Sequence, residues 1–143
     1  MTSQATPGGG ELCPSAQPDM QGAIVLGVLG GDAGRPQVHY LNQRLPADAA
    51  ILARAGPSPT RVLRLAARCE ESKCSHFDGA NCRLATRVAK MLDPVVDRLP
   101  ACSIRRDCRW FAQEGGEACL RCPQVVTESA DTDDRFRQVA LGV

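Results

Sequence analysis

Seven cysteines crowded into residues 69 to 122 constrain this chain more than any other feature of its sequence. They follow the spacing C-x4-C-x7-C, then nineteen residues, then C-x5-C-x10-C-x2-C. One isolated cysteine is often no more than a small buried hydrophobe. Seven within so short a segment instead predict metal or redox chemistry. The seven candidate ligands are Cys69, Cys74, Cys82, Cys102, Cys108, Cys119 and Cys122.

The surroundings of these thiols limit what they can do. The N-terminal stretch MTSQATPGGGELCPSAQPDMQ has neither the basic nor the apolar region of a secretory signal, so we expect a cytoplasmic protein. The one apolar run, residues 22–31, is far shorter than the roughly 20 residues of a membrane-spanning helix, so we expect no membrane association. Cytosolic thiols stay reduced, which disfavours a disulfide scaffold.

Two metal interpretations then compete. In the first, four of the cysteines hold a 4Fe-4S cluster, and the others are packed thiols, a second site or a redox pair. In the second, the seven cysteines and His76 form two tetrahedral zinc sites, one of four cysteines and one of three cysteines with His76. A lone histidine is more often hydrogen-bonded than metal-bound, but the sequence CSHFDG around His76 strengthens its case.

Local details of the sequence favour an iron–sulfur cluster over a zinc site. Zinc ribbons typically pair two CxxC units, whereas this sequence has one, formed by Cys119 and Cys122. The run CLRCP, with Pro123 directly after Cys122, resembles the C-P ending of bacterial ferredoxin motifs. The full ferredoxin run C-x2-C-x2-C-x3-C is absent, so the chain is not a ferredoxin. Cys119 and Cys122 are the firmest predicted ligands, and Cys102 and Cys108 lie nearest to them in sequence.

The hydrophobic pattern predicts a small α+β domain that begins with a β-hairpin. Apolar residues 23–31 and partly alternating residues 36–45 flank the turn-rich GDAGR, which favours two antiparallel strands. Residues 46–56 predict a short helix with Gly56 as its C-terminal cap. Residues 60–68, TRVLRLAAR, favour a strand over a short helix.

Two helical segments are predicted to carry cysteines. Over residues 80–92, Cys82 and several further apolar residues share one face of a helix. Asn81 or Asp78 would cap that helix and place Cys82 in its first turn, a position that favours a thiolate. The run DCRWFAQEGGEACLRCP predicts a short helix, a Gly-Gly break and a tight turn that carries the CxxC.

A single domain is expected over residues 21–127, with a metal-stabilised half at residues 69–122. Residues 1–20 are rich in Gly, Pro, Ser and Gln and predict a flexible lead-in, in which Cys13 is a bystander. Residues 128–143 predict a loosely attached acidic tail. Aromatic residues make up only 3% of the chain, so its core is expected to be aliphatic and thin.

Positive charge concentrates in the cysteine region. Residues 61–122 carry a net charge of +4, against −1 before them and −2 after them. Arg105, Arg106 and Arg109 stand beside Trp110 and Phe111, a grouping that suits nucleic acid or an acidic partner. We favour the alternative, in which these arginines offset the charge of a thiolate-ligated centre and the two rings shield it from solvent.

The predicted function is that of a small cytoplasmic iron–sulfur protein that transfers electrons, senses redox state or assists a partner enzyme. The alternative is a zinc-stabilised module that binds protein or nucleic acid. The run GVLGGDAG lacks the Lys-Ser/Thr of a phosphate-binding loop and the glycine spacing of a dinucleotide site. No serine has a credible histidine and acid partner, so the sequence does not support hydrolase chemistry. An enzyme that acts through cluster iron or a spare thiolate stays open.

Overall fold

A four-stranded antiparallel sheet with short helices on both faces forms a single small domain. The computed structural model describes residues 12–32, 35–70, 74, 76–77, 81–125 and 127. The strands are β1 (Leu12–Cys13), β2 (Ile24–Asp32), β3 (Arg35–Pro46) and β4 (Leu63–Arg68), in the spatial order β1-β4-β2-β3. The helices are α1 (Ala49–Ala55), α2 (Arg83–Met91), α3 (Arg109–Glu114) and α4 (Gly116–Arg121), with 3-10 turns at Pro59–Arg61, Arg105–Asp107 and Cys122–Gln124.

Strands β2 and β3 confirm the predicted hairpin, and β4 confirms the strand favoured over residues 60–68. The ladder of β2 shifts register between Val25 and Gly27 against both of its neighbours. A Cβ atom at Gly27 would stand 2.7 Å from the carbonyl oxygen of His39, so only glycine allows this close approach of the two strands. His39 lies in β3, as predicted.

The sheet separates two cores because successive side chains of a strand point to opposite faces. On β4, Leu63 and Leu65 join the smaller core, which α1 covers, whereas Ala66 joins the larger core beneath α2, α3 and α4. Most of the buried cysteines therefore lie on the side of the sheet that carries three helices. The larger core contains Leu26, Ala66, Cys82, Leu84, Ala85, Val88, Leu92, Ile104, Cys108, Trp110, Ala118, Cys122 and Val125.

Helix α1 follows the sequence prediction closely. The side chain of Asp48 accepts a hydrogen bond from the amide of Ile51 at 2.9 Å, which satisfies a donor of the first turn. Gly56 ends the helix with a φ of 97°, a backbone angle that favours glycine. Pro46 is the last residue of β3 rather than the start of the helix.

The ends of α2 and α4 differ from the predictions. Cys82 itself occupies the N-cap position of α2, so the prediction of Asn81 as the cap is wrong, and the alternative cap Asp78 lies outside the described residues. The prediction of a tight turn for the CxxC is also wrong, because Cys119 lies within α4 and Cys122 is its C-cap. No helix among the described residues is long and apolar enough to cross a membrane.

The segment expected to be a flexible lead-in contributes the edge strand β1 instead. Leu12 pairs with Arg68 and Cys13 with Ala67, and Leu12 also forms a bridge with Cys108. The remainder of the predicted lead-in before Leu12, and the acidic tail over residues 128–143, lie outside the described residues. Cys13 thus joins the same sheet as the strand that leads to Cys69.

An ion pair connects the hairpin to the cysteine region, and its loss should lower the stability of the fold by a measurable amount. Arg44 on β3 donates to the Asp107 carboxylate at 2.6 Å, and Asp107 is only 8% exposed. We expect Arg44→Met to lower the free energy of unfolding by about 1 kcal/mol, because it leaves this carboxylate buried without its partner. Chemical denaturation measures the change. Arg98→Met, which removes an exposed pair with Asp97, should change nothing, and equal effects would contradict the assignment.

Candidate metal centre

The structure describes all eight cysteines, and each is a free thiol. They form two groups, which we name by their order in the chain. The thiols whose charges act most strongly on Cys13 are those of Cys82, Cys69 and Cys74, and the thiols that act on Cys108 are those of Cys122 and Cys102. The N-terminal thiol group is Cys13, Cys69, Cys74 and Cys82, and the C-terminal thiol group is Cys102, Cys108, Cys119 and Cys122.

The four cysteines of the C-terminal thiol group line one small cavity. They come from the loop before the 3-10 turn, the N-cap of α3, and the end of α4. Leu26 and Tyr40 close the cavity from the sheet, and Trp110 closes it from α3. Pro14, Pro100, Arg105 and Ala118 complete the lining. The surroundings of these thiols are therefore largely apolar, with few polar groups.

Arg64 is the principal charged residue beside this cavity, and it is fully buried. Its Nη2 donates to the Sγ of Cys122 at 3.0 Å, and its other nitrogens donate to the carbonyl oxygens of Pro14, Cys122 and Val125 at 2.7 to 2.9 Å. The guanidinium carbon lies 5.8 Å from the centre of the Trp110 ring. No carboxylate among the described residues pairs with it, so the thiol of Cys122 is the acidic group that this buried cation contacts.

The contact with Cys122 affects the pKa of Arg64. Burial alone would lower its pKa, but the charge of Cys122 and the hydrogen bond to its sulfur help to outweigh burial, so the pKa of Arg64 is raised above its ordinary value. Tyr40 also hydrogen-bonds to Cys122, and burial together with the charge of Cys122 raises the pKa of Tyr40. Tyr40 therefore stays a phenol that donates to sulfur, and Arg64 stays a cation.

A second arginine, Arg105, contacts Cys119. The side chain of Arg105 hydrogen-bonds to this thiol, and Arg105 also donates to the carbonyl oxygen of Pro100. Burial raises the pKa of Cys119, and the contact with Arg105 opposes that rise. Two cations thus stand at the two cysteines of the CxxC, one at each sulfur.

Backbone amides face the other two sulfurs of the group. The amide of Ile104 lowers the pKa of Cys102, and those of Phe111 and Trp110 lower the pKa of Cys108. Burial is the larger influence and raises both pKa values, so both thiols are protonated at neutral pH in the absence of a metal. The amides near Cys108 do not close a capping hydrogen bond to its sulfur.

Two buried donors beside the cavity have no acceptor among the described residues. They are the indole Nε1 of Trp110 and the Nε of Arg105, and both residues line the cavity. Buried N–H groups are almost always paired, because leaving one unpaired costs about 1–3 kcal/mol. The cavity that holds four thiols is therefore also short of hydrogen-bond acceptors.

The four cysteines of the N-terminal thiol group lie on or next to three elements, which are β1, the end of β4 and the start of α2. Cys69 follows the last residue of β4, and Cys13 lies on β1 opposite Ala67. A turn brings the amide of Phe77 to the carbonyl oxygen of Cys74 at 3.1 Å, and Phe77 then bridges to Cys82. These connections link Cys13 with the strand that leads to Cys69, and they link Cys74 with Cys82 through Phe77.

His76 lies between Cys74 and Cys82 in the chain, and its ring faces an arginine. Nη2 of Arg87 is 3.0 Å from Nδ1 of His76, and the carbonyl oxygen of His76 accepts the amide of Arg83 at 2.7 Å. Burial and the charge of Arg87 lower the pKa of His76, so the ring is neutral at physiological pH. Because an arginine can only donate, Nδ1 is the acceptor and the remaining proton sits on Nε2.

Gln113 connects the two thiol groups. Its Oε1 accepts the amide of Cys82 at 2.7 Å, and its Nε2 donates to the carbonyl oxygen of Cys82 at 2.7 Å. Since Gln113 lies on α3, which begins at Cys108, this pair of bonds ties Cys82 to the helix of the other group. Sequence reasoning missed Gln113 because a glutamine in a polar helical run gives no signal of such a contact.

The sequence-predicted residues are thus distributed over both groups, and the prediction omitted Cys13 and Arg64. Among the described residues, no three His, Cys, Asp or Glu side chains are placed closely enough to hold a metal ion as they stand. The grouping of arginines with Trp110 and Phe111 does not form an exposed aromatic patch. Trp110 is only 1% exposed and packs in the larger core. Trp110 is therefore a packing residue.

Comparison of the chain with protein-family models, with curated proteins and with solved structures gives no match.

Proposed function

We propose that this chain is a cytoplasmic iron–sulfur protein in which Cys102, Cys108, Cys119 and Cys122 hold a 4Fe-4S cluster. The observation that carries the proposal is the buried guanidinium of Arg64 against the Sγ of Cys122. A buried cation without a carboxylate is costly unless another anion lies beside it. A centre with four thiolates is such an anion.

The positions of the two arginines fit this charge. Arg64 contacts Cys122 and Arg105 contacts Cys119, so each thiolate of the CxxC has a cation of its own. Charge-assisted contacts of this kind are about twice as strong as neutral hydrogen bonds. They make ionised sulfur favourable in a cavity whose apolar walls otherwise raise the pKa of its thiols.

The unpaired donors favour a cluster over a single zinc ion. Trp110 Nε1 and Arg105 Nε need acceptors beyond the four thiols. A 4Fe-4S cluster brings inorganic sulfides, which accept N–H hydrogen bonds, whereas a zinc ion brings no acceptor. The unpaired donors would therefore be more fully used by a cluster than by zinc.

When bound, a cluster of this type supplies one-electron redox chemistry. The residues of the chain set its environment. Arg64, Arg105 and the phenol of Tyr40 donate to the ligand sulfurs, and such hydrogen bonds favour the reduced, more negative state. Trp110 and Leu26 exclude water from the inner side of the cavity.

Cys102 and Cys119 are only partly buried, which leaves the outer side of the cavity near the protein surface. Electron exchange between proteins requires such an approach to the surface. The function that this arrangement supports best is electron transfer to or from a partner enzyme in a reducing compartment. Redox sensing uses the same centre, and binding to nucleic acid has no comparable support from the site.

Anaerobic purification followed by iron and sulfide analysis tests the proposal. We expect a brown protein with broad absorption near roughly 400 nm, and Cys119→Ala should lose the iron and sulfide of this centre. The matched control is Cys74→Ala, which replaces a cysteine of the N-terminal thiol group. This variant should keep the iron and sulfide that Cys119→Ala loses. Colourless protein with stoichiometric zinc would replace the proposal with the zinc-stabilised module.

A further inference from the structure

Cys119 and Cys122 are close neighbours at the end of one helix. Cys119 lies within α4 and Cys122 is its C-cap, so the two cysteines are three positions apart in a helical turn. Side chains with this spacing share one face of a helix, and their Cβ atoms lie about 5–6 Å apart. Both residues line the same small cavity, in agreement with a shared face.

A disulfide bond is within reach of this pair. Residues three apart in an α-helix have Cα atoms about 5 Å apart, inside the range of about 4.4–6.8 Å that disulfides occupy. The Cβ atoms need to approach by about 1–2 Å to reach bonding geometry. Helix α4 ends here, and Cys122 begins the 3-10 turn Cys122–Gln124, so the movement is confined to the last turn. A 3-10 turn brings side chains three apart into line.

The two thiols differ in their access to solvent. Cys119 is partly exposed, whereas Cys122 is only 9% exposed and packs in the larger core. A molecule from solution therefore meets Cys119 first. In dithiol exchange, an accessible cysteine attacks an incoming disulfide, and a neighbouring cysteine resolves the mixed disulfide that results. The difference in exposure assigns attack to Cys119 and resolution to Cys122.

A buried cation supports the resolving role of Cys122. Nη2 of Arg64 donates to the Sγ of Cys122 at 3.0 Å, and Arg64 is fully buried. The thiolate is the form of cysteine that attacks a disulfide, and a neighbouring guanidinium favours that form. Arg64 also donates to the carbonyl oxygens of Pro14 and Val125, so the protein itself fixes the cation at this sulfur.

We propose that Cys119 and Cys122 form a reversible disulfide in the metal-free chain, with a low-molecular-weight disulfide such as glutathione disulfide as the oxidant. Cytosolic disulfides are typically transient bonds of this catalytic or redox-sensing kind. The dithiol does not require the iron–sulfur cluster, because it belongs to the chain without metal. Disulfide and cluster exclude each other, since both use the same two sulfurs.

The exchange is balanced in two steps. The Cys119 thiolate attacks one sulfur of glutathione disulfide, forms a mixed disulfide with it and expels the other sulfur as a glutathione thiolate. The Cys122 thiolate then attacks the Cys119 sulfur, forms the bond between the two cysteines and releases the second glutathione thiolate. The two protons lost by the cysteines go to the two released thiolates. Two protein thiols are thereby oxidised, and one glutathione disulfide is reduced to two thiols.

Peptide mass spectrometry of the metal-free, full-length chain tests the pairing. The chain is treated with glutathione disulfide, its remaining thiols are blocked, and it is unfolded and digested with trypsin. Cleavage after Arg121 separates residues 110–121, which contain Cys119, from residues 122–135, which contain Cys122. Each of these two peptides contains one cysteine. We expect them to be joined by a disulfide after treatment and to be separate before it.

Two serine variants test the order of attack. Cys122→Ser keeps the accessible thiol without the resolving one, so it should hold one glutathione per chain as a mixed disulfide on Cys119. Cys119→Ser keeps only the buried thiol of the pair and should take up roughly tenfold less glutathione at Cys122 over the same time. The matched control is Cys69→Ser, which removes a partly exposed cysteine outside the pair. It should form the disulfide as the unmutated chain does.

Other results would overturn the proposal. Cys119 and Cys122 that stay reduced in the unmutated chain, or that form disulfides with Cys102 or Cys108 instead, exclude the pair. Equal glutathione uptake by the two serine variants excludes the assigned order of attack, and an unfolded chain would give the same result. Iron and sulfide analysis is independent of this assay. A chain that binds a cluster and forms no disulfide loses the dithiol alone, and a chain that forms the disulfide but binds no iron loses the cluster alone.

Discussion

Replacing Arg64 by leucine is expected to lower the free energy of unfolding by about 3–5 kcal/mol, the cost of leaving a buried charge without its partner. Arg64 is fully buried and donates to the Sγ of Cys122 and to three backbone carbonyl oxygens. Leucine fills much of the volume but removes the donor to all four acceptors, and the carbonyl oxygens of Pro14 and Val125 lose the side-chain donor that Arg64 gives them. Urea denaturation of the metal-loaded protein under anaerobic conditions measures the loss.

Arg64→Lys separates the charge from the hydrogen bonds. An ammonium group keeps the positive charge but cannot donate in the four directions that the guanidinium fork covers. We expect its stability to lie between those of the unmutated chain and Arg64→Leu. The reduction potential should fall in Arg64→Leu, because a negative centre that loses a cation is harder to reduce.

The control for this pair of variants is Arg106→Leu. Arg106 is exposed and lies in the 3-10 turn next to Arg105, so its removal changes the net charge by the same amount without emptying a buried contact. Its stability should stay close to that of the unmutated chain. A loss as small for Arg64→Leu as for Arg106→Leu would mean that Cys122 carries no charge that Arg64 must balance.

Arg64 also illustrates what the sequence could not reveal. The run TRVLRLAAR favours a strand, but nothing in it indicates that the face carrying Arg64 is buried. That face is covered by α3 and α4, which come more than forty residues later in the chain. One face of a strand can meet either solvent or a second core. Which of the two it meets depends on long-range packing, and the local sequence pattern does not indicate it.

The parts that were predictable depend on local chemistry. The hairpin of β2 and β3 follows from its apolar runs around a turn, and α1 follows from its cap residues Asp48 and Gly56. Cys13 was dismissed as a bystander because its partners are brought to it by the pairing of β1 with β4. The same limit applies to the CxxC, whose helical setting in α4 was read as a turn.

Removing the metal is expected to produce the second large effect, a loss of stability whose pH dependence reverses in sign. In the metal-free chain, burial raises the pKa of Cys13 to about 12 and raises the pKa values of Cys82, Cys102, Cys108 and Cys119. A thiol with a raised pKa stabilises the folded state fully below its unfolded value of 9.0, and that contribution is lost as pH rises through the folded pKa. Metal-free protein should therefore lose stability from about pH 9 upwards, by about 1.4 kcal/mol per pH unit for each proton that only the folded chain retains.

The metal-loaded chain should behave in the opposite way. Metal-bound thiolates are already ionised, so their folded pKa values lie below the unfolded value, and the stability that they contribute is lost as pH falls. Chemical denaturation of both forms between pH 6 and pH 11, about five units, measures the two slopes. With rising pH, the free energy of unfolding should fall for the metal-free chain and rise for the metal-loaded chain. The difference between the two forms should therefore be larger at high pH.

Alanine at Cys13 provides the internal control for these slopes. In the metal-free chain, Cys13→Ala removes the thiol whose pKa is raised to about 12, so the decline above pH 9 should become shallower. In the metal-loaded chain, the same variant should keep the acid sensitivity of the C-terminal centre. If stability fell with rising pH in both forms alike, the thiols would be protonated in both, and neither group would be ligating a metal. Opposite slopes are the result expected when the sulfur of the metal-loaded chain is ionised and metal-bound.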